Sequence, residues 1–177
     1  DGSYVAAVYS EPVHYLENGK WEEIDNTLTE EMVEGTEVYQ NRKGKHSVRF
    51  SESIDKKGVS IQNENGYTVS FTPVTDVERP EMKGERKETE ELQSISMMKE
   101  EGKRDKKTEK MSLDKKTSGM KYADVYADAD LEYVLTSSSL KENIVVKKAK
   151  DSYEYQFHAD FGGLIPVQES DGSIGLY

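Results

Sequence analysis

The nine residues YEYQFHADF, Tyr153–Phe161, decide the fold class. Tyr153, Tyr155, Phe157, Ala159 and Phe161 alternate with Glu154, Gln156, His158 and Asp160. A period of two sends successive side chains to opposite faces, so this stretch predicts a strand with one buried and one wet side. Shorter runs of the same kind are Val48 and Phe50, Val59 and Ile61, Tyr67 with Val69 and Phe71, and Leu131 with Tyr133 and Leu135. Strands wet on one side belong to antiparallel sheets, because parallel sheets are covered on both faces and read as continuous apolar runs. No sustained helical period interrupts these runs outside residues 76–116. The expectation is an all-β domain, an antiparallel β-sandwich.

Turn residues refine it. Asn63–Gly66 separates two of the alternating runs, and loop length sets their register. A two-residue Asn65–Gly66 turn would place Ile61 opposite Ser70 and Val59 opposite Thr72, apolar against polar, which a half-buried sheet disfavours. A three-residue loop, Glu64–Asn65–Gly66, pairs Ile61 with Val69 and Val59 with Phe71, with Gly66 in the left-handed conformation that such loops need. The three-residue form is predicted. Glu17–Asn18–Gly19–Lys20 marks another hairpin, joining Pro12–Leu16 to Trp21–Ile24, in which Trp21 faces either Leu16 or Tyr15.

The chain has 177 residues, no cysteine and a net charge of −11 from 35 acidic and 24 basic side chains. Residues 76–116 hold 12 acids and 12 bases, and no aromatic residue lies between Phe71 and Tyr122. Such a stretch buries too little apolar surface to offset the entropy of ordering its backbone. It reads as a long, charged, partly helical insertion in a single domain of residues 1–177. A short helix is expected near Glu88–Glu100, where Leu92, Ile95 and Met98 recur at threes and Gly102 follows. The other 136 residues carry the whole net charge, 23 acids against 12 bases.

These numbers exclude several classes. No stretch approaches the roughly 18 apolar residues of a membrane span. An acidic chain is a poor partner for nucleic-acid backbones or anionic lipid. Zero cysteine excludes a disulfide-stapled scaffold and suits the cytosol or a Gram-positive surface. The chain opens on Asp1 rather than Met, as a processed or trimmed chain does.

Four stretches carry a family resemblance. VYSEPVHYLENGKWEEIDNTL (residues 8–28) and VYQNRKGKHSVRFSE (38–52) resemble the N-terminal regions of large secreted, wall-associated surface proteins of Firmicutes that bear RHS repeats and often DNRLRE domains. TSGMKYADVYADADLEYVLTSSSLKENIVVKK (117–148) is similar to their tyrosine-rich pattern, here Tyr122, Tyr126, Asp130, Leu131, Tyr133, Lys141, Glu142 and Ile144. FHADFGGLIPVQESDGSIGLY (157–177) adds a strand and an Asp171–Gly172 turn. The resemblance covers about residues 4–72 and 117–177 and skips the charged segment. It implies an exported, non-catalytic module, secreted or held at the cell wall. Its partners would be other domains of one large surface protein, and a wall or host glycan or protein.

Candidate chemistry is sparse. His14, His46 and His158 are far apart and form no short-spaced zinc pattern. No nucleophile-elbow motif frames a serine. Asp124, Asp128 and Asp130 are the candidate metal ligands, for calcium, since oxygen-rich loops of extracellular modules hold it weakly. Their spacing matches no EF-hand and Tyr122–Asp130 lacks glycine, so a strand-end role with Asp130 accepting backbone hydrogen bonds is preferred. No cofactor is otherwise expected. Trp21 and Tyr15 are the candidate ligand-binding pair, as a sugar-stacking platform. Against that, aromatic side chains of a sandwich more often fill its core, and Val13 and Ile24 beside Trp21 read as buried. Lys141 and Glu142 read as a surface ion pair, worth little if exposed. The sequence therefore favours a structural or adhesive module, with a carbohydrate- or protein-binding sandwich second. A hydrolase using two carboxylates facing across a cleft is a third class.

Overall fold

The computed structural model describes residues 9–75, 84–86 and 115–177. Among these the chain is all-β, with antiparallel strands throughout. A hairpin of β1 (His14–Glu17) and β2 (Lys20–Glu23) leads into β3 (Asp25–Val33), β4 (Thr36–Lys43) and β5 (Ser47–Ser51). One helical turn, α1 (Ile54–Lys57), precedes β6 (Val59–Gln62) and β7 (Thr68–Pro73). The rest comprises β8 (Gly84–Arg86), β9 (Ser118–Tyr126), β10 (Ala129–Leu135), β11 (Leu140–Val146), β12 (Phe157–Asp160), β13 (Pro166–Gln168) and β14 (Ile174–Leu176).

Two larger sheets make the body. One has the order β12-β7-β6-β5-β4-β3, the other β11-β10-β9-β8. Leu28, Val48, Phe50, Ile54 and Val59 from the first sheet and its helical turn cluster with Met120, Tyr122, Val125, Leu131, Tyr133 and Leu135 from the second. The rings of Phe50 and Tyr133 meet at 5.8 Å, and the Tyr122 hydroxyl donates to the Ser51 carbonyl at 2.6 Å. One core therefore lies between two facing antiparallel sheets, an arrangement consistent with a β-sandwich. Each fully buried Leu, Phe or Val in it contributes about 1.5–3 kcal/mol.

The turns follow their sequences. The β6–β7 hairpin has the predicted three-residue loop: Val59 pairs with Phe71 and Ile61 with Val69, Asn63 N–H bonds to the Tyr67 carbonyl at 3.0 Å, and Gly66 has φ +86°. The β1–β2 hairpin turns on Asn18 (φ +50°) and Gly19 (φ +77°), setting Leu16 opposite Trp21. Two positive φ values match the right-handed twist of a tight hairpin. Gly58, between α1 and β6, has φ +62°, and a Cβ there would lie 1.9 Å from the Phe71 carbonyl oxygen.

Two expectations need correction. The strand predicted from Tyr153 begins only at Phe157. Tyr155, Phe157, Ala159 and Phe161 still alternate, half-buried, with exposed neighbours, but Tyr153 is exposed. Its hydroxyl is tied locally instead, accepting from Lys150 N–H at 2.7 Å and donating to the Lys148 carbonyl.

The charged segment, in turn, is joined to the body at both ends. Gly84–Arg86 forms β8 beside Tyr122–Met120, with Gly84 packed so closely that a Cβ would lie 2.7 Å from Met120 Sδ. The Arg86 guanidinium covers the Tyr39 ring at 5.4 Å and donates to the Leu28 carbonyl. Lys116, 7% exposed, donates through Nζ to the Glu23 carboxylate and the Ile24 carbonyl. Among the described residues the segment contributes a strand and no helix. The helix expected at Glu88–Glu100 lies outside the described residues.

The outer strands carry charge: Glu30 and Glu31 on β3, Asp160 on β12, Glu85 and Arg86 on β8, and Lys141 and Glu142 on β11.

Candidate functional site

The three aspartates sit around the β9–β10 turn, where the register shifts and Asp124 takes φ +54°. Asp130 is buried, and its carboxylate accepts the Asp124 N–H at 2.7 Å, pinning the irregularity. Lys147 Nζ lies 2.5 Å from Asp124 Oδ1 and 2.6 Å from Asp130 Oδ1, so an ammonium occupies the place between these carboxylates where a metal would sit. Lys121 adds a second contact to Asp130 at 3.4 Å. Asp128 faces elsewhere, pairing with Lys150 at 2.6 Å and accepting from the Tyr155 hydroxyl. Among the described residues no group of three His, Cys, Asp or Glu converges as a metal site. Burial alone would raise the Asp130 carboxyl. The Lys147 and Asp124 hydrogen bonds and the charges of Lys147 and Lys121 outweigh it and hold Asp130 below the usual carboxylate range. The geometry matches the strand-end role, and the carboxylates that face each other are bridged by lysine rather than open across a cleft.

Trp21 and Tyr15 do not form one platform. Cross-strand pairing puts Trp21 beside Leu16 on one face of the β1–β2 ribbon. Tyr15, one residue from Leu16, lies on the other face, where its hydroxyl donates to Glu17 and Glu22 pairs with Lys43. Trp21 is 74% exposed and Leu16 55%, against the expectation of a core-filling indole. Strand parity explains it: Ile24 is three residues from Trp21 and so faces inward, with only 2% of its surface exposed.

The other singled-out residues stay apart. His14, His46 and His158 are exposed at separate places. Lys141 and Glu142 lie opposite Val134 and Tyr133 and so point to opposite faces of β11. Burial, and after it the Glu142 carboxylate directly across the ladder, push the Tyr133 hydroxyl up.

Two further features were not legible beforehand. The first is a pair of buried asparagines. Asn41 Nδ2 donates to Asn26 Oδ1 at 3.2 Å and to the His46 carbonyl at 3.1 Å, and Asn41 Oδ1 accepts from Val48 N–H at 2.8 Å. Asn26 Nδ2 donates to the Lys116 carbonyl at 2.7 Å. Asparagine is ordinarily a surface residue, so composition gives no signal for this.

The second is the placement of the two small hairpins. Register runs across the six-stranded sheet so that Asp25, Lys43, Ser47, Gln62, Thr68 and Asp160 share one end. The β1–β2 hairpin enters β3 there, and the β13–β14 hairpin leaves β12 there. These are the two outer strands, roughly 24 Å apart at a strand spacing near 4.8 Å. The β13–β14 hairpin closes on itself around Asp171–Gly172, with Ile165 and Tyr177 exchanging backbone hydrogen bonds at 2.8 and 3.2 Å. It exposes Ile165 (66%) and Ile174 (62%). A lone two-stranded hairpin is marginal in water.

No known protein family, curated protein or solved structure matches the chain. Among the described residues no helix is long and apolar enough to cross a membrane.

Proposed function

We propose that this chain is a non-catalytic structural or adhesive module of a large bacterial cell-surface protein, secreted or wall-associated, that docks against neighbouring domains through one end of its sandwich. The observation that carries this reading is the pair of hairpins leaving the same end of the six-stranded sheet, each with large apolar side chains turned to solvent. Neighbouring apolar side chains left in solvent, as Leu16 and Trp21 are directly across the β1–β2 ribbon, mark interaction sites, and tryptophan is enriched at their centres. The extracellular setting rests on the resemblance of the four quoted stretches to wall-associated, RHS-repeat proteins.

Of the binding alternatives, a protein surface suits this end better than a glycan. The residue across from Trp21 is Leu16, which offers a sugar hydroxyl nothing to bond, whereas both side chains together fit an apolar cleft. An antibody raised against the domain tests the setting on the cells that encode it. Labelling of intact cells is the expected result, and labelling only after permeabilisation refutes the reading.

A further inference from the structure

At the same end of the sandwich a cavity of about 220 Å³ opens between the β4–β5 turn and the β10–β11 turn. We infer that it binds a small organic acid, with its short apolar body inside the cavity and its carboxylate at the mouth. The walls are Ile24, Val48, Ile61, Leu135 and Leu140, backed by Asn26 and Asn41. The two asparagines are already committed to each other, to Lys116 and His46 carbonyls, and to Val48 N–H. The interior therefore offers a guest apolar contact and asks for no polar group in return.

The mouth is different. Lys45 and His46 are exposed there and are the only ionisable side chains among the lining residues. Lys45 has no ion pair among the described residues. In the β10–β11 turn the Thr136 hydroxyl accepts from Ser138 N–H and Ser139 N–H and meets the Ser139 hydroxyl at 3.1 Å, so those groups are satisfied. The Ser137 and Ser138 hydroxyls have no hydrogen bond among the described residues and remain available. A cation and two free hydroxyl donors at the rim of an apolar chamber suit an oxyanion carried on a hydrocarbon body. In a chain of net charge −11, a rim without carboxylates selects against amines. The volume falls below the roughly 300–1,000 Å³ of pockets for drug-sized ligands, which sets the guest's size at a few carbons.

Titrating the whole chain with hexanoate, hexanol and hexylamine, and following backbone amide shifts by NMR, tests the inference. Saturable shifts confined to Gly44–Val48 and Thr136–Leu140 are expected with hexanoate, with affinity about tenfold above the alcohol, as one well-placed charge contact of about 1.4 kcal/mol gives. Lys45→Ala should remove most of that preference while leaving hexanol binding unchanged. Ser138→Trp, an exposed substitution that leaves the core intact, should block all three ligands. Absence of saturable shifts up to the solubility of hexanoate overturns the proposal, as does equal binding of hexylamine or unaltered hexanoate affinity in Lys45→Ala.

Discussion

Replacing Asn41 by alanine removes three hydrogen bonds at once, and the structure sets what is left behind. Val48 N–H, in a residue only 2% exposed, loses its acceptor, and Asn26 Oδ1 loses its donor. The His46 carbonyl, near the surface, can turn to water. An unsatisfied buried polar group costs about 1–3 kcal/mol, so two of them predict a loss of about 2–6 kcal/mol. Water entering the adjacent cavity would hydrate part of the site and favour the lower half of that range. Asn26→Ala strands the Lys116 carbonyl and one Asn41 N–H, two groups again, and its predicted cost is likewise about 2–6 kcal/mol. Because the two side chains share a bond, the double variant should lose at least about 1 kcal/mol less than the sum. Urea unfolding at neutral pH gives each value. Circular dichroism is the better probe, because the sole tryptophan, Trp21, is exposed and reports little of the core. An Asn41→Ala variant within about 0.5 kcal/mol of the parent, or strict additivity in the double variant, refutes the reasoning.

Three more outcomes follow from the same structure. Asp130 is held below the ordinary carboxylate range when folded. Its contribution is thus present above the unfolded value near 3.9 and is lost as pH falls through the folded value. Asp130→Asn should cost about 1.5–3 kcal/mol at neutral pH, the worth of charge-assisted hydrogen bonds. The gap between variant and parent should close in acid, and denaturant unfolding at a series of pH values measures it. Replacing residues 87–114 by a short Gly-Ser linker should preserve a single cooperative unfolding transition in calorimetry. Removing 76–116 entirely should lower the midpoint further, because β8 and Lys116 go with it. Gly58→Ala should destabilise by more than about 2 kcal/mol, since its Cβ would collide with the Phe71 carbonyl in a left-handed backbone, whereas Gly19→Ala, with open space around it, should cost about 1 kcal/mol. Thermal melts of the two variants compare these directly.

Where a signal is local, the sequence carried it. The β6–β7 register followed from parity and one glycine, and the Asp171–Gly172 turn is where its residues place it. Parity also held the orientation of Trp21. Ile24, one step past β2 and still bonded to the Val13 carbonyl, cannot face inward together with Trp21 when it stands three residues on in extended chain, but aromatic burial statistics argued the other way. Long-range facts left no local trace. Nothing in Gly84–Glu85–Arg86 announces a strand, because three polar residues earn a place in the sheet only through Met120, Tyr122 and Tyr39. The same is true of the bonds that join the asparagines to each other and to Lys116, which span 15 and 90 residues of chain. At the aspartates the residue types were right for a cation, but the cation is the ammonium of Lys147, which no spacing rule points to.

The distribution of charge on the outer strands has a consequence for crowding. Another molecule that extended either large sheet would have to align its own backbone beside Glu30 and Glu31, Asp160, Arg86 or Lys141 and strip water from them. Those borders therefore resist runaway polymerisation. The β13–β14 hairpin is guarded less: from Ile165 to Tyr177 it has no lysine or arginine, among the described residues neither strand pairs with anything but the other, its acids gather at the turn, and Pro166 alone interrupts an edge. At high protein concentration fibrous association should begin there, and a lysine substituted for Val167 should suppress it.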